Sequence, residues 1–303
     1  MTRIAVFAYS DTGHACLGHL LGERENVVLV ATHRDDPEER AWFPSVAELA
    51  RSHGIEPVVM ENPLDPAAIS RVRAARPDLL FSFYYRRILP GEMLALPPLG
   101  AWNMHGSLLP KFRGRAPVNW AVLRGETRTG ATLHAMTDRA DRGPILDQEA
   151  VPIGPEDTAI EVQRRVTEAA VRVLARNLEA LKAGRASPVP QDESKASRFG
   201  GRRPEDGRID WTRPAKEVHD LVRAVTHPYP GAFTDVFGAR TFVWKTRVPG
   251  LAAHDTFPGQ VRAEDGRLFV ACGDDRYVEL LRLQSEGAAE EDAARFLAER
   301  GRG

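Results

Sequence analysis

Two polar side chains that lie two residues apart, Asn103 and His105, are the groups in this sequence best suited to chemistry. The apolar run over residues 100–104 predicts a strand, and residues two apart on a strand point to the same face. An amide N–H can bind a developing oxyanion, and an imidazole can carry a proton near neutral pH. Together they indicate acyl transfer.

Asp141 is the third candidate, in a polar loop that follows a predicted strand over residues 129–136. Because sheet enzymes gather their sites at the carboxyl ends of strands, we expect this loop to approach His105. A carboxylate beside His105 would favour the charged imidazole. Asn103, His105 and Asp141 would then supply an oxyanion donor, an acid and an orienting base.

Each of these three residues, taken singly, is more often structural than chemical. Buried polar groups usually satisfy one another, and Asp often caps or bends a loop. The chemical interpretation therefore depends on all three occurring together. His134 alternates with Thr132 and Met136 on the predicted strand, and we predict that it is a packed or capping histidine.

The elements that must position these residues alternate between strand and helix in the first half of the chain. This alternation indicates an α/β fold with a Rossmann-like parallel sheet. Continuous apolar runs predict buried strands over residues 4–8, 27–31 and 79–83, with a shorter strand over 57–60. Capping signals at Ser45, Asp65 and Thr158 predict three helices, the last of which extends to about Lys182.

The composition changes after residue 184. Residues 188–206 are rich in Gln, Ser, Arg, Gly and Pro, which predicts a linker. A predicted helix over residues 214–225 and several short strands separated by Gly and Asp turns follow, and they favour a small OB-like β-barrel. We therefore expect a catalytic domain over residues 1–187, a linker over 188–206 and a small C-terminal barrel domain over 207–303.

The overall composition argues against several classes of protein. The formal net charge of -1 over 303 residues argues against nucleic-acid binding through bulk electrostatics, and no apolar run approaches a membrane helix. Cys16 and Cys272 provide neither a disulfide framework nor a zinc pattern. Residues 9–18 lack the G-x-G-x-x-G fingerprint, so NAD is not expected. We predict a cytoplasmic protein without a metal.

The motif around the candidate residues resembles the signature of the folate-dependent formyltransferases. Residues 103–110 read Asn-x-His-x-Ser-Leu-Leu-Pro, residues 113–117 read Arg-Gly-x-x-Pro, and residues 141–143 read Asp-x-Gly. The resemblance covers nearly the whole chain and implies 10-formyltetrahydrofolate as the formyl donor. It also implies that Asn103, His105 and Asp141 are the catalytic trio.

The same resemblance implies a site for the folate and roles in the reaction. The residues expected to hold the pterin ring are Arg87, Ile88, Leu89, Thr137, Asp138, Arg139, Ala140 and Asp141. Arg115 would help to position ligand. A neutral amine would attack the formyl carbon while Asn103 and protonated His105 stabilise the oxyanion, and His105 or a linked water would protonate the leaving folate nitrogen. Asp141 would keep His105 charged or accept a proton through water.

Within this family, residues 81–86, 114–120 and 230–233 are most similar to the enzymes that formylate UDP-4-amino-4-deoxy-L-arabinose in lipid A modification. The tRNA enzymes usually have a small residue where Arg115 stands. The best-known arabinose enzymes are fused to an NAD-dependent dehydrogenase, which this sequence lacks. The resemblance therefore implies either a stand-alone formyltransferase or an excised half, with a dehydrogenase as a separate partner.

Four functions remain open on the sequence. They are a sugar-nucleotide N-formyltransferase, a methionyl-tRNA formyltransferase, a formyltetrahydrofolate hydrolase and a non-catalytic folate or nucleotide binder. Residues 201–303 contain 16 Lys and Arg against 17 Asp and Glu, which weakens the case for tRNA. The hydrolase differs only in lacking an amine pocket, and the complete trio argues against the binder. We expect the sugar-nucleotide enzyme, with the small domain either capping the fold or positioning substrate.

Overall fold

The computed structural model describes residues 1–34 and 42–300, and the chain divides into two compact units. The first unit consists of Met1–Pro117, Arg128–Pro152 and Gln163–Gly200. The second consists of Val118–Thr127, Ile153–Val162 and Gly201–Gly303. Each unit thus draws on more than one stretch of chain, and the predicted boundaries at residues 187 and 206 stay a prediction.

The first unit is built on a seven-stranded sheet with the order β3-β2-β1-β4-β5-β7-β8. The strands up to residue 200 are β1 (Ile4–Ala8), β2 (Val27–Thr32), β3 (Val58–Val59), β4 (Leu79–Phe83), β5 (Ala101–His105), β6 (Arg113–Gly114), β7 (Arg128–Ala135), β8 (Ile145–Pro152) and β9 (Arg198–Phe199). Strands β1 to β5 run parallel, whereas β7 is antiparallel to β5 and β8 is antiparallel to β7. The parallel-dominated α/β fold is therefore confirmed, with an antiparallel pair at one edge.

Helices connect and flank these strands. They are α1 (Ser10–Gly22), α2 (Val46–Ser52), α3 (Pro66–Ala75), α4 (Gly91–Leu94), α5 (Pro117–Leu123) and α6 (Ala159–Lys182). The Oγ of Ser45 accepts the Glu48 N–H at 3.3 Å, and Asp65 Oδ1 accepts the Ala67 N–H at 2.8 Å. The caps predicted at Ser45 and Asp65 are confirmed, because each side chain satisfies an N–H that the first helical turn leaves without a backbone partner.

The centre of the sheet supplies the rigid base of the candidate site. Every residue of β1 and β4 is buried, as expected for central parallel strands covered on both faces. Helix α1, which the sequence did not predict, approaches the end of β4 so closely that a Cβ on Gly13 would lie 2.9 Å from the carbonyl oxygen of Phe83. This contact fixes the start of α1 against the carboxyl end of β4.

The second unit contains a six-stranded antiparallel sheet, which confirms a separate C-terminal sheet domain. Its elements are α7 (Ala215–Val225), β10 (Ala232–Thr234), β11 (Thr241–Arg247), β12 (Val261–Glu264), β13 (Arg267–Ala271), β14 (Tyr277–Ser285), β15 (Glu291–Asp292) and α8 (Ala293–Arg300). The order is β10-β11-β14-β13-β12, with β15 paired to β14. Asp265 and Gly266 join β12 to β13, both with positive φ, as a two-residue type I′ hairpin turn requires.

No helix among the described residues is long and apolar enough to cross a membrane.

Candidate active site

Strand β5 carries Asn103 and His105 through the middle of the sheet. Asn103 pairs with Ser82 of β4 on one side and with His134 of β7 on the other. Because β5 is flanked on both sides, its backbone hydrogen bonds are made and the directions of its side chains are fixed. His105 is only 6% exposed, so its ring works in a largely water-excluded environment.

The two ring nitrogens of His105 have different partners. Its Nε2–H donates to the carbonyl oxygen of Phe112 at 2.8 Å, and a carbonyl can only accept, so Nε2 carries a hydrogen. The other nitrogen, Nδ1, lies 3.5 Å from Oδ1 of Asp141. This distance is longer than a strong charge-assisted hydrogen bond, so Nδ1 is the ring nitrogen available to exchange a proton.

Asp141 reaches His105 by a different route from the one expected. Strand β7 is antiparallel to β5, so its carboxyl end, Ala135, lies beside Trp102 at the amino end of β5. The loop that follows must therefore turn back towards His105. Gly143 makes this turn possible, because a Cβ there would lie only 1.7 Å from the carbonyl oxygen of Ala135.

The Asp141 carboxylate is 13% exposed and is held in its ionised form. Burial alone would raise its pKa, but the nearby imidazoles of His105 and His134 and a hydrogen bond from the Gly114 N–H hold the pKa well below its ordinary value. The Gly114 N–H donates to Oδ2 at 2.8 Å, which leaves Oδ1 facing the two imidazoles. Asp141 therefore acts here as an anion.

His134 belongs to this cluster, which the sequence did not indicate. It is buried, as predicted, but its Nε2 also lies 3.1 Å from Nδ2 of Asn103 and 3.8 Å from Oδ1 of Asp141. Its Nδ1–H donates to the carbonyl oxygen of Ala135 at 2.8 Å, so in the neutral ring Nε2 accepts from the Asn103 amide. His134 joins the cluster because it pairs with Asn103 across β5 and β7, and this pairing could not be read from the sequence.

The backbone around the cluster adopts conformations that side chains normally avoid. Phe112, Ala116, Asp141 and Tyr84 all have φ between 50° and 61°, in the left-handed region. Non-glycine residues in this region cost free energy and concentrate at functional sites. Four such residues lie in the segments around His105 and Asp141, which supports a functional role for this cluster.

The loop after β4 contains three residues expected at the folate. Arg87 and Ile88 are exposed, Ile88 by 63%, whereas Leu89 is 1% exposed and belongs to the core. Leu89 therefore contributes neither backbone nor side chain to the exposed surface of this loop, which Arg87 and Ile88 form. The guanidinium of Arg115 donates to the carbonyl oxygen of Arg86 at 3.5 Å, which places Arg115 against this loop.

The loop after β7 contains the other expected folate residues. Thr137, Asp138 and Arg139 are exposed, and Ala140 is half-buried. The Thr137 hydroxyl donates to the Arg139 carbonyl oxygen at 3.0 Å and accepts the Arg139 N–H at 3.3 Å, so the start of the loop is internally braced. Through Asp141, this loop joins the His105 cluster. The structure thus brings the predicted trio together.

The arrangement has the parts of an acyl-transfer site: an amide donor, an imidazole with one open nitrogen, and an anion. Within the described residues, no group of three or more His, Cys, Asp or Glu side chains is arranged to hold a metal ion. The chemistry that these side chains themselves support is proton transfer and oxyanion stabilisation.

Comparison with known proteins gives two family matches. Residues 2–178 match the family described as formyl transferase, and residues 202–301 match the family described as formyl transferase, C-terminal domain. Together the matched regions span most of the chain.

Three solved structures illustrate the fold. WlaRD, a sugar 3N-formyl transferase crystallised with dTDP and 5-N-formyl-THF, is 16% identical with a TM-score of 0.70, and the match covers 95% of this chain and 99% of WlaRD. An N-formyltransferase from Helicobacter canadensis, complexed with folinic acid and dTDP-3-aminofucose, is 18% identical with a TM-score of 0.69, over 92% and 99% of the two chains. HypX from Aquifex aeolicus is 22% identical with a TM-score of 0.65, over 100% of this chain and 48% of HypX.

Proposed function

The chain belongs to the formyl transferase family, and from this premise we propose that it transfers a formyl group from 10-formyltetrahydrofolate to the amine of a nucleotide-linked sugar. More narrowly, we propose the 4-amine of UDP-4-amino-4-deoxy-L-arabinose as acceptor, in lipid A modification. The observation that carries the proposal is the approach of Asp141 Oδ1 to within 3.5 Å of His105 Nδ1, beside Asn103.

Support for a folate donor comes from the family and from the fold. Two structural neighbours were crystallised with formylated folates, 5-N-formyl-THF and folinic acid. In this chain, the loop over residues 87–89, which is exposed at Arg87 and Ile88, and the loop over residues 137–141 are the segments proposed to hold the pterin ring. Both offer backbone N–H and C=O groups that a pterin can pair with.

The three side chains divide the work of formyl transfer as follows. The neutral sugar amine forms a bond to the formyl carbon, and the Asn103 amide and the protonated His105 stabilise the oxyanion that develops. The bond from that carbon to the folate nitrogen then breaks, and His105 Nδ1–H or a linked water protonates the leaving nitrogen. Asp141 keeps the imidazolium charged. The proton that the amine releases passes through water to the His105 ring after that ring has given its own proton to the folate nitrogen.

The proposal for the acceptor sugar rests on fewer observations than the proposal for the folate donor. Residues 81–86, 114–120 and 230–233 resemble those of the arabinose enzymes, and Arg115 supplies a cation for an anionic ligand next to Arg86. The balance of 16 basic and 17 acidic residues over 201–303 offers no net attraction for a tRNA backbone. The two buried cysteines, Cys16 and Cys272, are free thiols, which favours a cytoplasmic reaction.

A side-by-side acceptor assay tests the proposal. The purified chain is given 10-formyltetrahydrofolate with UDP-4-amino-4-deoxy-L-arabinose, a dTDP-3-amino sugar, methionyl-tRNA or water alone. We expect turnover with the UDP sugar to exceed turnover with each of the others by at least about tenfold, a difference of about 1.4 kcal/mol in transition-state binding. Turnover only on methionyl-tRNA, or equal release of formate without any amine, would overturn it.

Arg115 tests the choice of acceptor separately from the chemistry. The variant Arg115→Ala should raise KM for the UDP sugar about tenfold and leave kcat within about twofold, as expected for a group that binds substrate and transition state equally. An unchanged KM for the sugar would remove Arg115 from the acceptor site.

A further inference from the structure

Residues 189–199, here called the bracing segment, lie within the stretch that the sequence predicted as a linker. At one end, Val189 exchanges two backbone hydrogen bonds with Ile145, at 2.8 and 2.7 Å. At the other end, β9 pairs in parallel with β6, and the Arg113 N–H donates to the Ser197 carbonyl oxygen at 2.9 Å. The bracing segment is therefore attached to the elements that carry the candidate site.

Gln191 lies near the start of the bracing segment, and both the nitrogen and the oxygen of its side-chain amide make hydrogen bonds. Its Nε2 donates to the carbonyl oxygens of Asp141 and Gly143 at 2.8 and 2.7 Å. Its Oε1 accepts from Nη2 and Nε of Arg113 at 2.6 and 3.2 Å. Because two carbonyls lie on one side and a guanidinium on the other, only one orientation of the amide satisfies all four contacts.

Arg113 links this amide to both halves of the catalytic pair. Its guanidinium is 3% exposed and is also held by the Glu193 carboxylate, at 2.9 and 2.7 Å. Its two chain neighbours are the residues that orient the pair: the Phe112 carbonyl accepts from His105, and the Gly114 N–H donates to Asp141. A group that fixes Arg113 and the Asp141 backbone together therefore sets the distance between the imidazole and the carboxylate.

We propose that Gln191 is a positioning residue of the formyl-transfer site, which sets the place of Asp141 relative to His105. The inference rests on the proposed function for the roles of these two residues. Gln191 contacts the backbone of Asp141 and not the reacting groups, so it acts through Asp141. Even a small shift of Asp141 should lower kcat, because a misplacement of about 1 Å in a catalytic group can cost about a hundredfold in rate.

The variant Gln191→Glu isolates this role. It preserves the shape of the side chain and the acceptor for Arg113, but it removes both N–H donors and places a carboxylate oxygen against the carbonyls of Asp141 and Gly143. The matched control is Glu193→Gln, which changes another Arg113 partner in the same segment. Glu193 is 56% exposed, whereas Arg113 is 3% exposed, so this control takes the carboxylate from a buried guanidinium. Arg113 keeps both hydrogen bonds to Gln191 Oε1 and can still donate to the new amide oxygen, so the contacts of Gln191 are unchanged.

Amide hydrogen exchange at Gly114 reports directly on the position of Asp141, because Asp141 Oδ2 accepts that N–H. We expect exchange at Gly114 to be about tenfold faster in Gln191→Glu, which corresponds to about 1.4 kcal/mol, and unchanged within about twofold in Glu193→Gln. Unchanged exchange in Gln191→Glu would overturn the proposal. This reading does not depend on any substrate.

A double-mutant cycle with Asp141→Asn shows whether Gln191 acts through Asp141. We expect Gln191→Glu alone to lower kcat about tenfold, counted per 5-formyltetrahydrofolate-binding site, with KM within about twofold. In the Asp141→Asn background the same change should alter kcat by no more than about twofold. An equal loss in both backgrounds would make Gln191 merely structural and overturn the proposal.

The amide exchange at Gly114 and the kinetic cycle together separate the proposed function of the chain from the positioning role of Gln191. If the wild-type chain transfers no formyl group to any amine, the proposed function fails, and the Gly114 exchange still decides whether Gln191 positions Asp141. If the wild-type chain is active and Gln191→Glu is indistinguishable from Glu193→Gln in both readings, the positioning role fails alone.

Discussion

Asp141 in the first unit and Glu279 in the second are both buried carboxylates with a lowered pKa, but they are bound differently. Glu279 is 4% exposed and accepts four hydrogen bonds from the guanidinium groups of Arg247 and Arg267, at 2.6 to 3.0 Å. Among the described residues, the Asp141 carboxylate accepts one short hydrogen bond, from the Gly114 N–H at 2.8 Å, and its Oδ1 lies 3.5 and 3.8 Å from two imidazoles.

The difference distinguishes a structural carboxylate from one available for chemistry. Glu279 faces two permanently charged groups, so neither side can change protonation near neutral pH. Asp141 faces two groups that can gain or lose a proton, at 3.5 and 3.8 Å, which is longer than a strong charge-assisted hydrogen bond. A lowered pKa alone would not separate them, whereas the identity and distance of the partners do.

The largest expected effect is on catalysis at Asp141. The variant Asp141→Asn should lower kcat about 10²- to 10⁴-fold, the range for loss of a general acid–base group, because His105 Nδ1 then faces a neutral amide. Steady-state kinetics with the UDP sugar measure the loss. The Tm should stay within about 3 °C, since the side chain keeps its size; an active variant would place Asp141 with Glu279 among the structural carboxylates.

His134 should show a smaller effect of the same kind. The variant His134→Phe keeps the ring but removes the Nε2 acceptor of Asn103, so the amide loses its orientation. We expect kcat to fall about tenfold, the equivalent of one hydrogen bond of about 1.4 kcal/mol. His219, a buried histidine in the second unit, provides the control: His219→Phe should leave kcat within about twofold.

Glu279 should show the reverse pattern. The variant Glu279→Gln leaves two guanidinium groups without their anion, but both are about half exposed and can be solvated, so the loss is about 1–2 kcal/mol rather than that of a fully buried pair. Thermal unfolding should show a Tm lower by several degrees, while kcat is unchanged. A loss of kcat at unchanged Tm would contradict the assignment.

The smallest expected effect is the pH dependence of the difference in stability between wild type and Glu279→Gln. Arg267 and Arg247 hold the pKa of Glu279 below its ordinary value, against the opposing effect of burial. Its contribution to stability is therefore present above the unfolded pKa of about 4.3 and is lost as the pH falls through the lower folded pKa. The difference in Tm between wild type and Glu279→Gln should be full near pH 7 and shrink below about pH 4. A difference in Tm that increases as the pH falls would contradict a lowered pKa for Glu279.

Local features of the fold were predictable from the sequence. The caps at Ser45 and Asp65 rest on side chains that reach two or three residues along the chain, and such contacts are visible in the sequence. The placement of Asn103 and His105 on one strand follows from the two-residue period. Helix α1 was missed because Tyr9, the residue that precedes it, makes no side-chain capping hydrogen bond and the apolar residues of α1 show little periodicity.

Features that depend on distant pairing were not predictable. The antiparallel course of β7 leaves no trace in its apolar pattern. The sequence therefore predicted that the Asp141 loop approaches His105, but not that it must turn back from the amino end of β5 to do so. Gln191 bonds to residues 48 to 78 positions away, and a polar, Pro-containing stretch looks the same whether it is a free linker or a bracing segment. His134 joined the site through a cross-strand partner for the same reason.

The fate of the formyl carbon tests the central claim most directly. Wild-type chain is mixed with 10-formyltetrahydrofolate carrying ¹³C in the formyl group and with UDP-4-amino-4-deoxy-L-arabinose, and the label is followed by NMR through one turnover. We predict that the label moves to a formamide on the sugar nitrogen in the wild type, and that Asp141→Asn leaves it on the folate over the same interval. Label that appears as free formate, or that reaches the sugar equally fast with both proteins, would contradict the account.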